Sequence, residues 1–364
     1  MRQFYILTTF VFVLSFNQFC IAQVDVVYDN LVWSDEFDTA GTNPVNSTNW
    51  FHQTQLPAGG GWYNGEEQHY SNRIDNSFVS GGFLNIVAKK ESFTDQSVTK
   101  QYTSARLNSK FAFTYGRIDV RAKLPIESGT WPAIWTLGKN INENGGYWDA
   151  TYGTTNWPYC GEIDIMEHGI FPGQDINFVQ SALHTPSSNG NTYNKGGVVA
   201  SDIQNNFHVY SMNWSPDQIS FLLDGVIYYT YNPTVKDANT WPFDKDQYIL
   251  LNVAMGGVAG TIDPAFTQSS MVIDYVRVYQ LSALSNSEHE ISDVKVFPNP
   301  AHSQITISTS SVIDKVELYD VFGKRILSQT KKMKTLDVSN LNAGFYLLNI
   351  YSGNKKSSKK VIIN

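Results

Sequence analysis

The chain of 364 residues carries 26 Lys+Arg against 33 Asp+Glu, a formal net charge of −7, with 16% charged and 14% aromatic side chains. A hydrophobic content of 42% excludes a disordered chain, the acidic balance excludes nucleic acid as a partner, and two cysteines exclude a disulfide scaffold. The charge divides the chain in three: residues 1–22 hold Arg2 alone, residues 23–280 hold 14 basic against 26 acidic side chains, and residues 281–364 hold 11 against 7.

Residues 1–22 read as a secretory signal peptide. Arg2 precedes an apolar run from Phe4 to Phe16, and Cys20-Ile21-Ala22 closes it on a small residue. The run is too short for a membrane span, which needs about 20 residues. Asn17-Gln18-Phe19 lacks the small residues that precede a lipidated cysteine, so secretion is favoured over a lipid anchor at Cys20. Without this segment Cys160 is the only thiol, expected as a small buried residue.

Residues 23–280 read as β throughout. Alternating or β-branched runs predict strands at Phe83–Ala88, Arg117–Lys123, Glu162–Met166, His208–Trp214, Ile219–Leu223, Tyr248–Ala254 and Met271–Tyr279. Asp224-Gly225, between Ile219–Leu223 and Val226–Tyr231, predicts a hairpin. Gly145–Tyr159, rich in Gly, Tyr and Trp, predicts a surface loop. No long stretch has apolar residues at helical spacing, so the expected fold is all-β: two packed, curved antiparallel sheets with a concave cleft suited to an extended polymer.

The chemistry is expected at Gly161-Glu162-Ile163-Asp164-Ile165-Met166-Glu167-His168-Gly169. Strand side chains alternate faces, so Glu162 and Asp164 share one face while Ile163 and Ile165 enter the core. Glu167 then falls on the wrong face, and one β-bulge near Met166 would return it. Clustered carboxylates raise one another's pKa, and glycoside hydrolysis needs that split: one carboxylic acid to protonate the leaving oxygen and one carboxylate to attack or to activate water. At about 3.3 Å per residue the two Glu Cα atoms stand about 13 Å apart, so spacing alone does not decide between retention and inversion. A solvated strand face and a calcium site are the competing readings. The nearby indoles of Trp131, Trp135, Trp148 and Trp157 favour a site.

These motifs carry a resemblance. Residues 30–280 resemble glycoside hydrolase family 16, and most its laminarinases, through Leu31–Asp38, Asn64–Tyr70, Ser104–Ser109, Tyr115–Arg117, Trp131–Trp135, Glu162–Glu167, Phe207–Tyr210, Ile249–Ala254 and Asp274–Tyr279. The resemblance implies a jelly roll and a retaining endo-acting β-1,3-glucanase. In it Glu162 matches the nucleophile, Glu167 the acid/base and Asp164 the orienting carboxylate. It further implies Trp131 and Trp135 as sugar platforms, and Asn64, Glu66 and Arg106 as polar contacts, Arg106 having a structural ion pair as its alternative. His168 and His184 would touch the leaving-side sugar or hold Glu167, and Trp148 and Trp157 would extend the cleft. Glu36 and Asp274 match positions where the family binds a structural calcium; catalysis itself needs no metal.

Residues 281–291 read as a polar linker, and 292–364 as a small β-sandwich with strands at Val294–Val296, Gln304–Ser308, Val316–Tyr319 and Phe345–Tyr351. This tail resembles the C-terminal sorting domain of the type IX secretion system through Val296–Ala301, Val316–Lys324 and Leu341–Tyr346. The implied partners are a polysaccharide and the secretion machinery, with the enzyme a monomer, secreted or held at the outer surface. The alternatives are a sibling hydrolase of mixed-linkage glucan or galactan and a non-catalytic glycan-binding jelly roll. An intact Glu162/Asp164/Glu167 set argues against the latter.

Overall fold

A strand that alternates apolar and polar side chains buries one face only, so two such sheets stack with their apolar faces together. The computed structural model describes residues 26–170, 173–188, 194–282, 291, 293–321, 323–331, 333–353 and 355–364. The leader 1–22 and most of the linker 281–291 lie outside the described residues. The chain divides into two compact units, 1–281 and 282–364.

The first unit is a two-sheet jelly roll. One sheet of 11 strands runs through Val226–Tyr231, Ile219–Leu223, His208–Trp214, Gly116–Lys123, Gln268–Gln280 and Phe83–Asp95. The other, of seven strands, is ordered Asn194–Val199, Phe178–His184, Glu162–His168, Thr130–Gly138, Gln247–Met255, Arg106–Phe113 and Trp50–His52. Between them Ile118, Val120 and Ala122 of one sheet share a buried cluster with Ile163, Ile165, Ile249, Leu251 and Val253 of the other. Asp224 and Gly225 both take positive φ (50° and 81°), the two-residue turn expected of the hairpin.

Several strands of the seven-stranded sheet give no alternation in sequence. Gln247–Met255 is buried at all nine positions, and Arg106–Phe113 and Phe178–His184 are mostly buried as well. One face meets the core, and on the other Gln68 and Tyr70 bond to Met255 and Asn252, so the period-2 signal is lost. The segment 145–159 contains one short helix, Asp149–Tyr152.

The second unit is a smaller β-sandwich. Lys295–Phe297, Gln304–Ser308 and Thr335–Asp337 form one sheet; Arg325–Gln329, Lys315–Tyr319, Gly344–Ser352 and Lys355–Ile363 form the other. Ile305, Ile307, Val316, Leu318, Leu348, Ile350 and Val361 make its core.

Candidate active site

The strand Glu162–His168 is bracketed by two glycines that no other residue could replace without displacement. Gly161 has φ 77°, and a Cβ there would lie 2.6 Å from the Pro242 carbonyl oxygen. Gly169 has φ 87°, and its Cβ would lie 2.2 Å from the Thr130 carbonyl oxygen. Between them the pairing slips. Against Phe178–His184, Asp164 faces Ala182 and Glu167 faces Gln180; against Thr130–Gly138, Met166 faces Ile134 and Asp164 faces Trp135. One extra residue is thus accommodated at Ile165-Met166, and both side chains enter the core. This is the bulge that parity demanded, and it returns Glu167 to the face of Glu162 and Asp164.

Each outer carboxylate receives an indole N–H. Trp131 Nε1 donates to Glu167 Oε1 (3.1 Å), and Trp157 Nε1 donates to Glu162 Oε2 (3.0 Å). His184, cross-strand from Glu162, places Nε2 3.2 Å from Asp164 Oδ2 and 3.5 Å from Glu162 Oε1. The ring of Trp157 lies 5.5 Å from that imidazole. Burial and the Asp164 charge push the carboxyl of Glu162 up, and the same two causes, with the charge of Glu162 added, push Glu167 well above the usual carboxylate range. Burial works against a charged His184, but Glu162, Asp164 and Glu167 outweigh it and lift the ring to about 10. The cluster therefore holds a cationic imidazole beside carboxyl groups that readily keep a proton, a set able to donate and accept protons near neutrality.

Among the described residues, Glu162, Asp164 and His184 form the one group of three side chains close enough to share an ion. An imidazole kept protonated by its neighbours is a poor metal ligand, because the metal needs the neutral ring. At Glu36 and Asp274, where a calcium is expected, each carboxylate has a guanidinium partner. Glu36 is gripped bidentately by Arg277, at 2.9 and 2.7 Å, and Asp274 is paired with Arg121. Both oxygens of Glu36 are engaged in this way, whereas Asp274 pairs through Oδ2 alone.

The other expected residues divide. Trp131 and Trp135 lie four residues, two pleats, apart on one strand, half-buried, on the face that carries Glu167. Asn64 takes φ 56° in a short helical turn beside the half-buried Glu66, whose carboxyl is pushed up by burial. Arg106 is buried and donates to both oxygens of Glu143 (2.9 and 3.0 Å), with its guanidinium 5.0 Å from the Trp135 ring and 5.4 Å from that of Trp62. It is the structural ion pair that was its alternative. Trp148 packs on a satellite cluster of Leu137, Ile141, Cys160, Tyr248 and Leu250, and its Nε1 donates to the Ser109 carbonyl; it anchors the loop rather than extending the cleft. His168 follows Glu167 and so points to the opposite face, buried, with Nδ1 3.0 Å from the Phe178 carbonyl oxygen. Its bond is thus to the backbone rather than to Glu167, and His184 lies against Glu162 and Asp164.

Glu143, Tyr70 and Asn252 support this site and drew no role from sequence. Their long-range pairings, 37 positions for Glu143 with Arg106 and 182 for Asn252 with Tyr70, leave no local mark. The Arg106–Glu143 pair gives a stability prediction. Arg106→Ala leaves Glu143 buried without its partner and should cost about 3–5 kcal/mol. All nine tryptophans precede residue 242, so tryptophan fluorescence during urea unfolding reports on the catalytic unit alone. An unchanged midpoint would show that the pair is not a structural anchor.

Comparison with known proteins agrees with this geometry. The glycosyl hydrolases family 16 model matches residues 75–277, and a secretion system C-terminal sorting domain matches residues 295–364. The chain is 38% identical over 263 residues to a beta-glucanase of Rhodothermus marinus, spanning 69% of this chain and 85% of that protein. It is 36% identical over 272 residues to glucan endo-1,3-beta-glucosidase A1 of Niallia circulans, spanning 69% of this chain but only 38% of that longer protein. Among solved structures, LamA from Zobellia galactanivorans in complex with laminaritriose and laminaritetraose superposes with a TM-score of 0.64 at 44% identity, covering 70% of this chain and 100% of that one. The chain belongs to glycosyl hydrolase family 16, and a type IX secretion sorting domain follows its catalytic domain.

Proposed function

We propose that this chain is an endo-acting, retaining β-1,3-glucanase, with Glu162 as nucleophile, Glu167 as acid/base and Asp164 as the carboxylate that orients and tunes them. The observation that carries the reading is the bulge, which sets three carboxylates on one face with an indole N–H on each of the outer two. In the first step Glu167 gives its proton to the glycosidic oxygen as Glu162 attacks the anomeric carbon, breaking the glycosidic bond and forming a glycosyl ester. In the second, Glu167 takes a proton from water, whose oxygen attacks the same carbon and frees Glu162. The charge of Glu162 is one cause of the raised Glu167 pKa. Esterification removes that charge, so Glu167 becomes a weaker acid-form holder at the moment it must act as base.

The glucan assignment draws on LamA, solved with laminaritriose and laminaritetraose, and on the two glucanases named above. Trp131 and Trp135 supply apolar faces for sugar rings in an otherwise polar cleft. The sorting domain marks the enzyme for secretion or surface attachment, where polymeric substrate is met. The test is reducing-end release by the full chain from laminarin, lichenan, agarose and carrageenan. Laminarin is expected to be cleaved fastest, into a ladder of oligosaccharides. Release from agarose alone would replace the substrate, and no release from any polymer would overturn the reading.

A further inference from the structure

Two residues expected at the cleft, Glu66 and Trp135, are joined by a continuous hydrogen-bond chain through two residues that touch neither carboxylate of the reaction. Trp135 Nε1 donates to Asn252 Oδ1 (2.7 Å), Asn252 Nδ2 donates to the Tyr70 hydroxyl (3.1 Å), and that hydroxyl donates to Glu66 Oε2 (2.9 Å). Gln68 Nε2 donates to the same oxygen (2.7 Å), while Gln68 Oε1 accepts from the Met255 backbone N–H (2.7 Å). The residues come from three separate parts of the chain: the turn at Glu66 with the strand Gln68–Tyr70 that follows it, and the strands Thr130–Gly138 and Gln247–Met255.

The chain has one possible direction. An indole nitrogen only donates, so Asn252 must present its oxygen to Trp135 and its NH₂ to Tyr70. The Tyr70 hydroxyl, receiving that N–H, must send its own proton onward, and an ionised carboxylate is an acceptor only. Each member thus polarises the next, and a carboxylate at the far end makes the series self-consistent. Tyr70 is 1% exposed, its ring set edge-on to Trp62 at 4.8 Å, and Asn252 is 5% exposed, so the middle of the chain is dry. Across the Trp135 ring the Arg106 guanidinium, itself tied to Glu143, lies 5.0 Å from the centroid. The indole is therefore pinned at its nitrogen from one direction and packed at its face from another.

We propose that Glu66, Tyr70 and Asn252 are positioning residues that lock the Trp135 indole in its sugar-stacking orientation, so that Glu66 acts on the substrate through Trp135. The proposal rests on the reading of Trp135 as a sugar platform. A platform already held in its bound orientation loses less side-chain freedom on binding, so the relay should act on affinity more than on chemistry.

The test is a double-mutant cycle in the full-length enzyme with laminarin as substrate. Tyr70→Phe removes one hydroxyl from a residue that substrate does not reach. It should raise KM about fivefold and change kcat by less than about twofold, an effect of the size expected for one lost tether. Glu66→Leu, at the more exposed end, should raise KM in the same way and serves if Tyr70→Phe does not fold. In a Trp135→Ala background, where KM is already raised, Tyr70→Phe should add nothing, because the group it positions is gone. A merely structural role would lower the thermal midpoint and leave this coupling at zero. If Trp135→Ala leaves KM unchanged, the platform reading itself falls. If Trp135→Ala raises KM but Tyr70→Phe either has no effect or multiplies KM equally in both backgrounds, the relay is overturned and the platform stands.

Discussion

Glu162→Gln should lower kcat on laminarin by on the order of 10⁴ or more while the polymer still binds, because it removes the attacking atom and little of the cleft surface. The amide keeps the shape of the carboxylate and still accepts from Trp157, whose N–H lies 3.0 Å from Glu162 Oε2. Loss of turnover with retained affinity in a pull-down on insoluble β-1,3-glucan therefore separates lost chemistry from lost structure. Truncation sharpens the result. Glu162→Ala leaves space for a small anion at the position of the missing carboxylate, and added azide should restore cleavage of an aryl β-glucoside with an activated leaving group. The product should be the α-glycosyl azide, since a single displacement from the vacated side inverts the anomeric centre. Near wild-type turnover by Glu162→Gln would remove Glu162 from the nucleophile's role. Rescue that yields the β-azide would show that attack comes from elsewhere.

The part of this site that could be read from sequence is the part governed by strand periodicity. Strand side chains alternate strictly, so three carboxylates at positions 162, 164 and 167 could share a face only through one inserted residue, and the pairing shift at Ile165-Met166 supplies it. Residues placed by loops and long-range pairs escaped that logic. Trp148 and Trp157 sit in one segment of similar composition, yet Trp148 turns down onto Leu137 and Tyr248 while Trp157 reaches Glu162. Arg106 follows the strand pattern, but its partner Glu143 lies on a loop 37 positions away, so its burial as an ion pair had no local mark. Glu36 and Asp274 follow the same rule: the sequence shows the carboxylates, and only the fold shows Arg277 and Arg121 beside them.

The electrostatics of the cluster explain why three carboxylates and a histidine occur together. Two buried carboxyl groups with equal surroundings would compete for one proton without assigning it. Here burial and Asp164 raise both carboxyls, and His184 and an indole N–H lower both, but Glu167 also feels the charge of Glu162. That added repulsion favours the proton on Glu167, in keeping with the proposed acid role.

Glu167→Gln should divide two substrates by the leaving group each presents. Cleavage of laminarin needs a proton on the leaving sugar oxygen, and its loss should lower kcat by about 10²–10⁴. An aryl β-glucoside whose phenolate leaves unaided needs no such proton, so its first step should fall far less, and an added anion such as azide should speed release of the glycosyl enzyme. The pH profile adds a signed test. In the native enzyme activity should fall on the basic side as Glu167 loses its proton, and burial with the Asp164 and Glu162 charges should place that limb well above the usual carboxylate range. Glutamine does not titrate, so for the activated substrate the basic limb should vanish while the acidic limb, set by protonation of Glu162, remains. Equal losses on both substrates, or a basic limb that survives the substitution, would assign the proton to another group. His184 is then the next candidate, since its imidazole loses its proton at about 10 and lies against both Asp164 and Glu162.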